Sequence, residues 1–94
     1  MNIAIDLDGT IDKHIAMWNA VVRVMEIAGH NVFLVTSRSG ADKQLAREYA
    51  KSGGICEHHV VCTGGAAKRW FCEQRGLKID VWIDDDPGSI ENGK

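Results

Sequence analysis

A chain of 94 residues is long enough for one compact domain and too short for two, so we expect a single domain over residues 1–94 without a separate substrate-binding domain. The formal net charge of -2 excludes a basic surface of the kind that attracts nucleic acid by charge alone. No apolar run is long enough to span a membrane, and Met1 leads into a predicted strand rather than a signal peptide, so we expect neither membrane insertion nor secretion.

Apolar runs bounded by turn residues alternate with helical periodicity along the chain. In chain order, we predict a strand over Asn2–Leu7, a helix over Ile15–Ala28, a strand over Asn31–Val35, a helix over Asp42–Lys51, a strand over His58–Cys62, a helix over Ala66–Arg75 and a strand over Ile79–Ile83. This order favours an α/β fold, a Rossmann-like three-layer sandwich with a short parallel sheet of about four strands. Two helices should cover one face of the sheet and one helix the other, with the fourth strand at an edge.

Charged and hydroxyl residues follow the predicted strands at the carboxyl edge of the sheet, where open parallel sheets bind ligands. They are Asp6 and Asp8 at the end of strand one, Thr36, Ser37 and Arg38 at the end of strand two, Asp84 and Asp85 at the end of strand four, and Lys68 near the start of the third helix. Alternate residues of an extended segment point the same way, so Asp6 and Asp8 can face one small space. Because two acids in one pocket repel each other, a hard cation such as Mg²⁺ is the expected partner.

These segments resemble, in order and in position, the four motifs of the haloacid dehalogenase-like (HAD) phosphohydrolase superfamily. The matching residues are the run Asp6-Leu7-Asp8-Gly9-Thr10 after an apolar strand, Thr36 at the end of strand two, Lys68 on the following helix, and Asp84-Asp85 after Val81-Trp82-Ile83. The resemblance spans nearly the whole chain. It implies a HAD-like fold and a Mg²⁺-dependent phosphatase that works through an aspartyl-phosphate.

The resemblance also implies a role for each matching residue. Asp6 is expected to be the nucleophile that attacks phosphorus, and Asp8 the acid that protonates the leaving oxygen and later activates water. Thr36 is expected to donate to a phosphate oxygen, and Lys68 to offset negative charge. Mg²⁺ is expected to bind Asp6, the backbone carbonyl of Asp8 and an acid of the fourth motif. We favour Asp85 as that ligand, with Asp84 orienting Lys68 or a metal-bound water, and the choice between the two stays open.

Substrate contacts are expected from residues that flank the catalytic ones, namely Gly9, Thr10, Ser37 and Arg38. Arginine can bind phosphate or another substrate group with two parallel hydrogen bonds, and the alternative for Arg38 is a solvated loop charge. The stretch Ile83-Asp84-Asp85-Asp86-Pro87 resembles the strand-end form of deoxyribonucleotidases and polynucleotide 3′-phosphatases of the superfamily. A nucleotide or nucleic-acid end phosphate is therefore the expected substrate, with sugar phosphates and phosphoproteins left open.

One departure from the superfamily concerns the cap domain that its members usually insert after the first motif or after strand three. The connections Ile11–His14 and Thr63–Gly65 are too short to hold a cap, so we expect an open, capless site. Open members tend to act on macromolecules or to form oligomers. We therefore hypothesise that the chain forms a homo-oligomer, with Trp82 and Ile83 of the edge strand as candidate contacts.

Three alternatives compete with the phosphatase. A phospho-acceptor receiver domain would need an acid after strand three, where this chain has Cys62-Thr63-Gly64. A catalytically weak metal-binding, phosphate-binding or interaction domain could keep the same pocket. The segment Cys56–Cys62 contains zinc-type ligands, although the spacing is unlike a structural zinc site. The odd set of cysteines, with Cys72 as the third, fits reduced thiols and a cytoplasmic location.

Overall fold

The structure is a computed structural model that describes residues 1–93, so Lys94, the last residue of the expected domain, lies outside the described residues. The strands are β1 (Asn2–Ile5), β2 (Asn31–Thr36), β3 (Val60–Cys62) and β4 (Val81–Ile83). The α-helices within the described range are α1 (Ile15–Ile27), α2 (Lys43–Ser52), α3 (Lys68–Glu73) and α4 (Gly88–Glu91), and short 3-10 helices cover Ile11–Lys13 and Gly40–Asp42. The predicted alternation of strands and helices is confirmed.

Across residues 1–93 the strands form one parallel sheet in the order β3-β2-β1-β4. The chain passes from β1 outward through β2 to β3 and then returns to place β4 on the other side of β1. This confirms the α/β class, the short parallel sheet and the edge position of β4, and it is compatible with a Rossmann-like α/β sandwich. Since the direction of strand addition reverses at β1, the carboxyl end of β1 is the point where such sheets bind ligands.

Alternating side chains give the sheet two faces. Ile3 and Ile5 of β1 pack in a core cluster with Val22 of α1 and Ala50 of α2. Ala4, which points the other way, packs in a second cluster that includes Cys72 of α3, and α4 contacts α3. Helices α1 and α2 therefore cover one face, as predicted, and α3 covers the other.

The connection from β1 to α1 differs from the predicted strand end. β1 ends at Ile5 rather than Leu7 because the chain turns at once: the Thr10 N–H donates to the Leu7 carbonyl, and the Ile11 N–H donates to the Asp6 carbonyl. The indole N–H of Trp18 donates to the Thr10 carbonyl at 2.9 Å, which joins this turn to α1. Residues 6–14 make this connection and residues 63–67 join β3 to α3, and neither described connection contains an inserted domain.

The apolar surface does not concentrate on the edge strand. Trp82 and Ile83 are half-buried, because Trp82 packs on the α3 face and Ile83 on the opposite face. The most exposed large apolar side chains of the described chain are Ile27 at 81% and Val24 at 67%, both on α1. The homo-oligomer stays a prediction. No helix in the described part of the chain is long and apolar enough to cross a bilayer.

Candidate active site

The register of the sheet brings two acids together at the carboxyl end of β1. Ile5 of β1 pairs with Ile83 of β4, so Asp6 and Asp84 are the next residues on adjacent strands. The Asp6 N–H donates to the Ile83 carbonyl at 2.9 Å, which continues the pairing. Asp6 follows Ala4 by two residues and lies on the α3 face of the sheet, which is the face from which Lys68 approaches.

Lys68 is the first residue of α3, and it is 1% exposed. Its Nζ donates to Asp6 Oδ1 at 2.8 Å and to Asp84 Oδ2 at 2.5 Å. Burial opposes the charge of this ammonium, but the hydrogen bonds and charges of the two carboxylates outweigh burial and raise the pKa of Lys68. A lysine this deeply buried is stable only when it is paired, so its position and that of the two acids depend on one another.

Asp84 is held from several directions. Its side chain is 2% exposed. Besides Lys68, its Oδ1 accepts the Asp86 N–H at 2.9 Å, and the Ser89 hydroxyl lies 3.4 Å from its Oδ2. That hydroxyl is closer to the Asp86 carbonyl, at 2.8 Å. This placement suits the expected role of Asp84 in orienting Lys68, which stays a prediction.

Three carboxylates form the only grouping of three or more metal-type ligands that residues 1–93 contain. Asp6, Asp84 and Asp85 each offer an oxygen, and these oxygens all lie within 4.8 Å of one another. Burial raises the pKa of Asp6 to about 7, and a hydrogen bond with Asp85 adds to this effect while Lys68 opposes it. Because burial disfavours the charged carboxylate, a cation bound beside Asp6 would stabilise its ionised form. Oxygen ligands in this arrangement could hold a hard divalent cation.

Gly9 allows the first loop to approach these acids. Its φ of +82° is in the left-handed region, and a Cβ at this position would overlap the Asp85 carboxylate. The Gly9 N–H donates to Asp12 Oδ1 at 2.8 Å, so the turn carries its own side-chain bond. Any larger residue would both strain the backbone and displace Asp85.

Asp8 lies nearer to the surface and is held by Arg38. The Arg38 Nε donates to Asp8 Oδ2 at 3.0 Å and its Nη2 to Asp8 Oδ1 at 2.8 Å, so both oxygens of the carboxylate are engaged. The side chains are 35% exposed for Arg38 and 52% exposed for Asp8. Asp42 Oδ2 lies 3.8 Å from the Arg38 Nη1. Arg38, which is expected to contact the substrate, is thus bonded to Asp8, the expected acid.

Of the three hydroxyl residues expected at the site, one lines the cleft and two are buried beside it. Thr36 is fully buried and lies on the same face of β2 as Leu34, under α1 and α2, and its Oγ1 accepts the Arg38 N–H at 3.2 Å. Thr10 is also buried, and its carbonyl holds the indole of Trp18. Ser37, rather than Thr36 or Thr10, lines the cleft. The phosphate contact predicted for Thr36 and the substrate contact predicted for Thr10 stay predictions.

These groups surround a cleft of about 490 Å³. Its lining contains seven of the residues expected from the sequence, Asp6, Asp8, Gly9, Ser37, Lys68, Asp84 and Asp85, and four that were not expected, Asp12, Lys13, Asp86 and Ser89. A signal for Asp12 and Lys13 existed in the sequence, because a short connection after a glycine turn at the carboxyl edge must stay near the cleft. Ser89 carried no such signal.

The zinc alternative gains no support from the structure. Within the described residues, Cys56–Cys62 forms no grouping of three metal-type ligands. The His59 ring stacks on Phe33 with a centroid separation of 4.5 Å, and its Nδ1 lies 3.0 Å from the Val32 carbonyl. Cys56, Cys62 and Cys72 are unpaired.

No protein-family model matches the sequence, and no match is found among curated proteins or solved structures.

Proposed function

We propose that this chain is a Mg²⁺-dependent phosphatase of the HAD type, on a capless HAD-like sandwich, that hydrolyses a phosphate monoester through an aspartyl-phosphate on Asp6. One observation carries the proposal: the buried Lys68 joins the Asp6 and Asp84 carboxylates at the carboxyl end of the central strand. A buried ion cluster that opens onto a cleft is unfavourable for stability alone and typical of a functional site.

The acids around Asp6 suit a hard divalent cation. Asp6, Asp84 and Asp85 supply oxygens within 4.8 Å of one another, and burial raises the pKa of Asp6, so a bound cation would stabilise its carboxylate form. Asp6 and Asp85 would hold Mg²⁺, because both oxygens of Asp84 accept hydrogen bonds, from Lys68 and from the Asp86 N–H, whereas Lys68 contacts only Oδ1 of Asp6. When bound, Mg²⁺ would offset the charge of the phosphate and the acids, which allows an anionic substrate to approach an anionic nucleophile.

In the first half of the reaction a carboxylate oxygen of Asp6 attacks phosphorus. A bond forms between that oxygen and phosphorus, the bond from phosphorus to the ester oxygen breaks, and Asp8 transfers a proton to the departing oxygen. Lys68, 2.8 Å from Asp6 Oδ1, holds the nucleophile in place and lies beside the charge that the phosphoryl group carries. Ser37 lines the cleft and can donate to a phosphoryl oxygen.

In the second half of the reaction water replaces Asp6 on phosphorus. Asp8, now ionised, accepts a proton from the water molecule while the water oxygen attacks phosphorus. The bond between phosphorus and Asp6 breaks, inorganic phosphate leaves, and the Asp6 carboxylate is restored. The same two carboxylates thus serve both steps, with Asp8 acting first as an acid and then as a base.

The open cleft supports an accessible phosphate as substrate. No inserted domain covers the cleft in residues 1–93, so the phosphate on a nucleotide or at a nucleic-acid end could reach Asp6. The sheet edge that receives it carries several acids besides Asp6, so productive binding depends on the metal and on the few cations near the cleft.

The second candidate is a domain that binds metal and phosphate with little catalysis. The bidentate contact of Arg38 with Asp8 favours it, because a carboxylate engaged in this way is withheld from the leaving oxygen. The phosphatase would hydrolyse phosphate esters with turnover and the binding domain would not, whereas both would bind the metal.

The deciding experiment measures Mg²⁺-dependent release of phosphate from p-nitrophenyl phosphate and from a panel of phosphate monoesters. We expect Asp6→Asn to reduce kcat at least about 10³-fold, because the nucleophile is lost, and a chelator to abolish activity. Glu26→Gln is the matched control, since Glu26 is an exposed acid near the last turn of α1, at the opposite edge of the sheet. Wild-type protein that binds Mg²⁺ and releases no phosphate from any ester would favour the binding domain.

A further inference from the structure

Arg38 contacts Asp8 and does not belong to the lining of the cleft that contains Asp6 and Lys68. The cleft lining includes Ser37 and Asp8 but not Arg38, and Arg38 reaches the Asp8 carboxylate with its Nε and Nη2. Lys68 already supplies a side-chain cation that contacts Asp6 Oδ1. The guanidinium is therefore poorly placed for the phosphoryl group that Asp6 attacks and well placed for what lies beyond Asp8.

What lies beyond Asp8 follows from the proposed function, on which this inference rests. Asp8 gives its proton to the ester oxygen, so the group attached to that oxygen leaves past Asp8. The guanidinium holds the same carboxylate at 2.8 to 3.0 Å, so it lies one side chain away from the ester oxygen. Arg38 thus faces the leaving group of the substrate.

The backbone of Arg38 is fixed while its charged end can exchange partners. Its N–H donates to Thr36 Oγ1 at 3.2 Å, and its carbonyl accepts the Gly64 N–H at 3.0 Å. The side chain is 35% exposed, and Asp42 lies 3.8 Å from the guanidinium on a second side. Exposed ion pairs are weakened by water and salt, so a substrate anion can replace a protein carboxylate here.

We propose that Arg38 binds a second anionic group that the substrate carries close to the ester oxygen. The planar fork of arginine matches a carboxylate or a phosphate with two parallel hydrogen bonds, which is the geometry that it already makes with Asp8. Binding of this second anion also releases Asp8 to act on the ester oxygen. Substrates with two neighbouring anions are therefore preferred over otherwise similar substrates with one.

The experiment compares matched substrates that differ in the second anion. The first pair is 2-phosphoglycerate and glycerol 2-phosphate, which differ by a carboxylate beside the ester carbon. The second pair is adenosine 3′,5′-bisphosphate, followed by its conversion to adenosine 5′-monophosphate, and adenosine 3′-monophosphate, so that the 3′-ester breaks in both and the pair differs by the 5′-phosphate. In wild-type protein we expect kcat/KM to be at least about tenfold higher for the doubly anionic member of one pair or both, and the pair that responds identifies the anion.

Three variants assign the preference to Arg38. We expect Arg38→Met to reduce the ratio of kcat/KM within the responding pair to about one, and Arg38→Lys to leave a smaller preference, because lysine keeps the charge without the fork. Arg23→Met removes an exposed arginine on α1 and should keep the wild-type ratio. Since each ratio compares two substrates on one protein, a general loss of activity or stability in a variant does not change it.

The outcomes separate the inference from the proposed function. Hydrolysis of all four substrates with both wild-type ratios near one would overturn the inference and leave the phosphatase standing. A preference that survives Arg38→Met would overturn the assignment to Arg38. Absence of Mg²⁺-dependent hydrolysis of any ester, p-nitrophenyl phosphate included, would overturn the proposed function and this inference with it.

Discussion

The Lys68 and Arg38 side chains both contact carboxylates at the carboxyl edge of the sheet, but they differ in exposure. Lys68 and its partners Asp6 and Asp84 have side chains at most 8% exposed, whereas Arg38 and Asp8 are 35% and 52% exposed. The same pairing of charges therefore operates inside the protein in one case and in partial contact with water in the other. Burial therefore decides whether a cation is a fixed part of the site or an exchangeable contact.

The physical reason is the medium around each pair. Inside the protein a charge without a partner carries a large desolvation penalty, so Lys68 cannot leave its two carboxylates. At the surface water solvates both ions, and the pair contributes little net free energy. Asp6, the proposed nucleophile, is thus held by the strong contact, and Asp8, the proposed acid, by the weak one.

The largest expected effect comes from Lys68→Met. Methionine keeps most of the volume but leaves two buried carboxylates without their cation, so the free energy of unfolding should fall by about 3–5 kcal/mol. Urea denaturation monitored by circular dichroism measures the change. Lys78→Met at an exposed lysine is the control, with an expected change within about 0.5 kcal/mol. A decrease below about 1 kcal/mol for Lys68→Met would show that the cluster is not held as the buried contacts imply.

Much of the inner site, which consists of Asp6, Asp84 and Lys68, could be predicted from the sequence. The βα alternation predicts the sheet, and the rule that ligands bind at the carboxyl ends of parallel strands brings Asp6, Asp84 and Lys68 to one place. Asp6 and Asp84 lie at the ends of strands and Lys68 lies near the start of a helix, so small errors in the predicted bounds of these elements do not move them away from the site. β1 ends two residues before the predicted end, and Asp6 still lies at its carboxyl end.

The outer site, which consists of Asp8, Arg38 and Ser37, is harder to predict for two reasons. β2 is apolar on both faces, so the sequence does not indicate which face each side chain occupies, and Thr36 was expected in the cleft that Ser37 lines. The contact of Arg38 with Asp8 is made by two loop side chains, whose rotamers no periodicity fixes. Sequence patterns predict positions along regular elements better than the side-chain partners of loops.

A second, intermediate effect concerns metal and pH at the inner site. Burial raises the pKa of Asp6 from 3.8 to about 7, so the metal-free fold binds this proton more tightly than the unfolded chain does. Through Asp6 alone, stability is therefore greatest below the unfolded value and falls as the pH rises from 3.8 to about 7. Mg²⁺ must displace the proton, so its stabilisation should increase over the same range.

The measurement is the increase in the free energy of unfolding on adding Mg²⁺ at two pH values. At about pH 8, with Mg²⁺ about 100-fold above its dissociation constant, we expect about 2–3 kcal/mol. At about pH 5.5 only about one in thirty metal-free molecules has Asp6 ionised, so the same Mg²⁺ concentration should stabilise clearly less. Asp6→Asn should remove most of the effect at both values, and Glu26→Gln should leave it intact. Equal stabilisation at the two pH values would contradict a metal site that includes Asp6.

The smallest expected effect is the coupling between Asp8 and Arg38. A double-mutant cycle with Asp8→Asn and Arg38→Met, measured by urea denaturation without substrate, should give a coupling free energy of about 0.2–1 kcal/mol, because both side chains are partly exposed. The coupling should decrease when salt is raised, since screening weakens exposed pairs. A coupling well above this range would place the pair with Lys68 as a fixed structural contact. A substrate anion would then compete poorly for the guanidinium, and the distinction between the inner and outer cations would not hold.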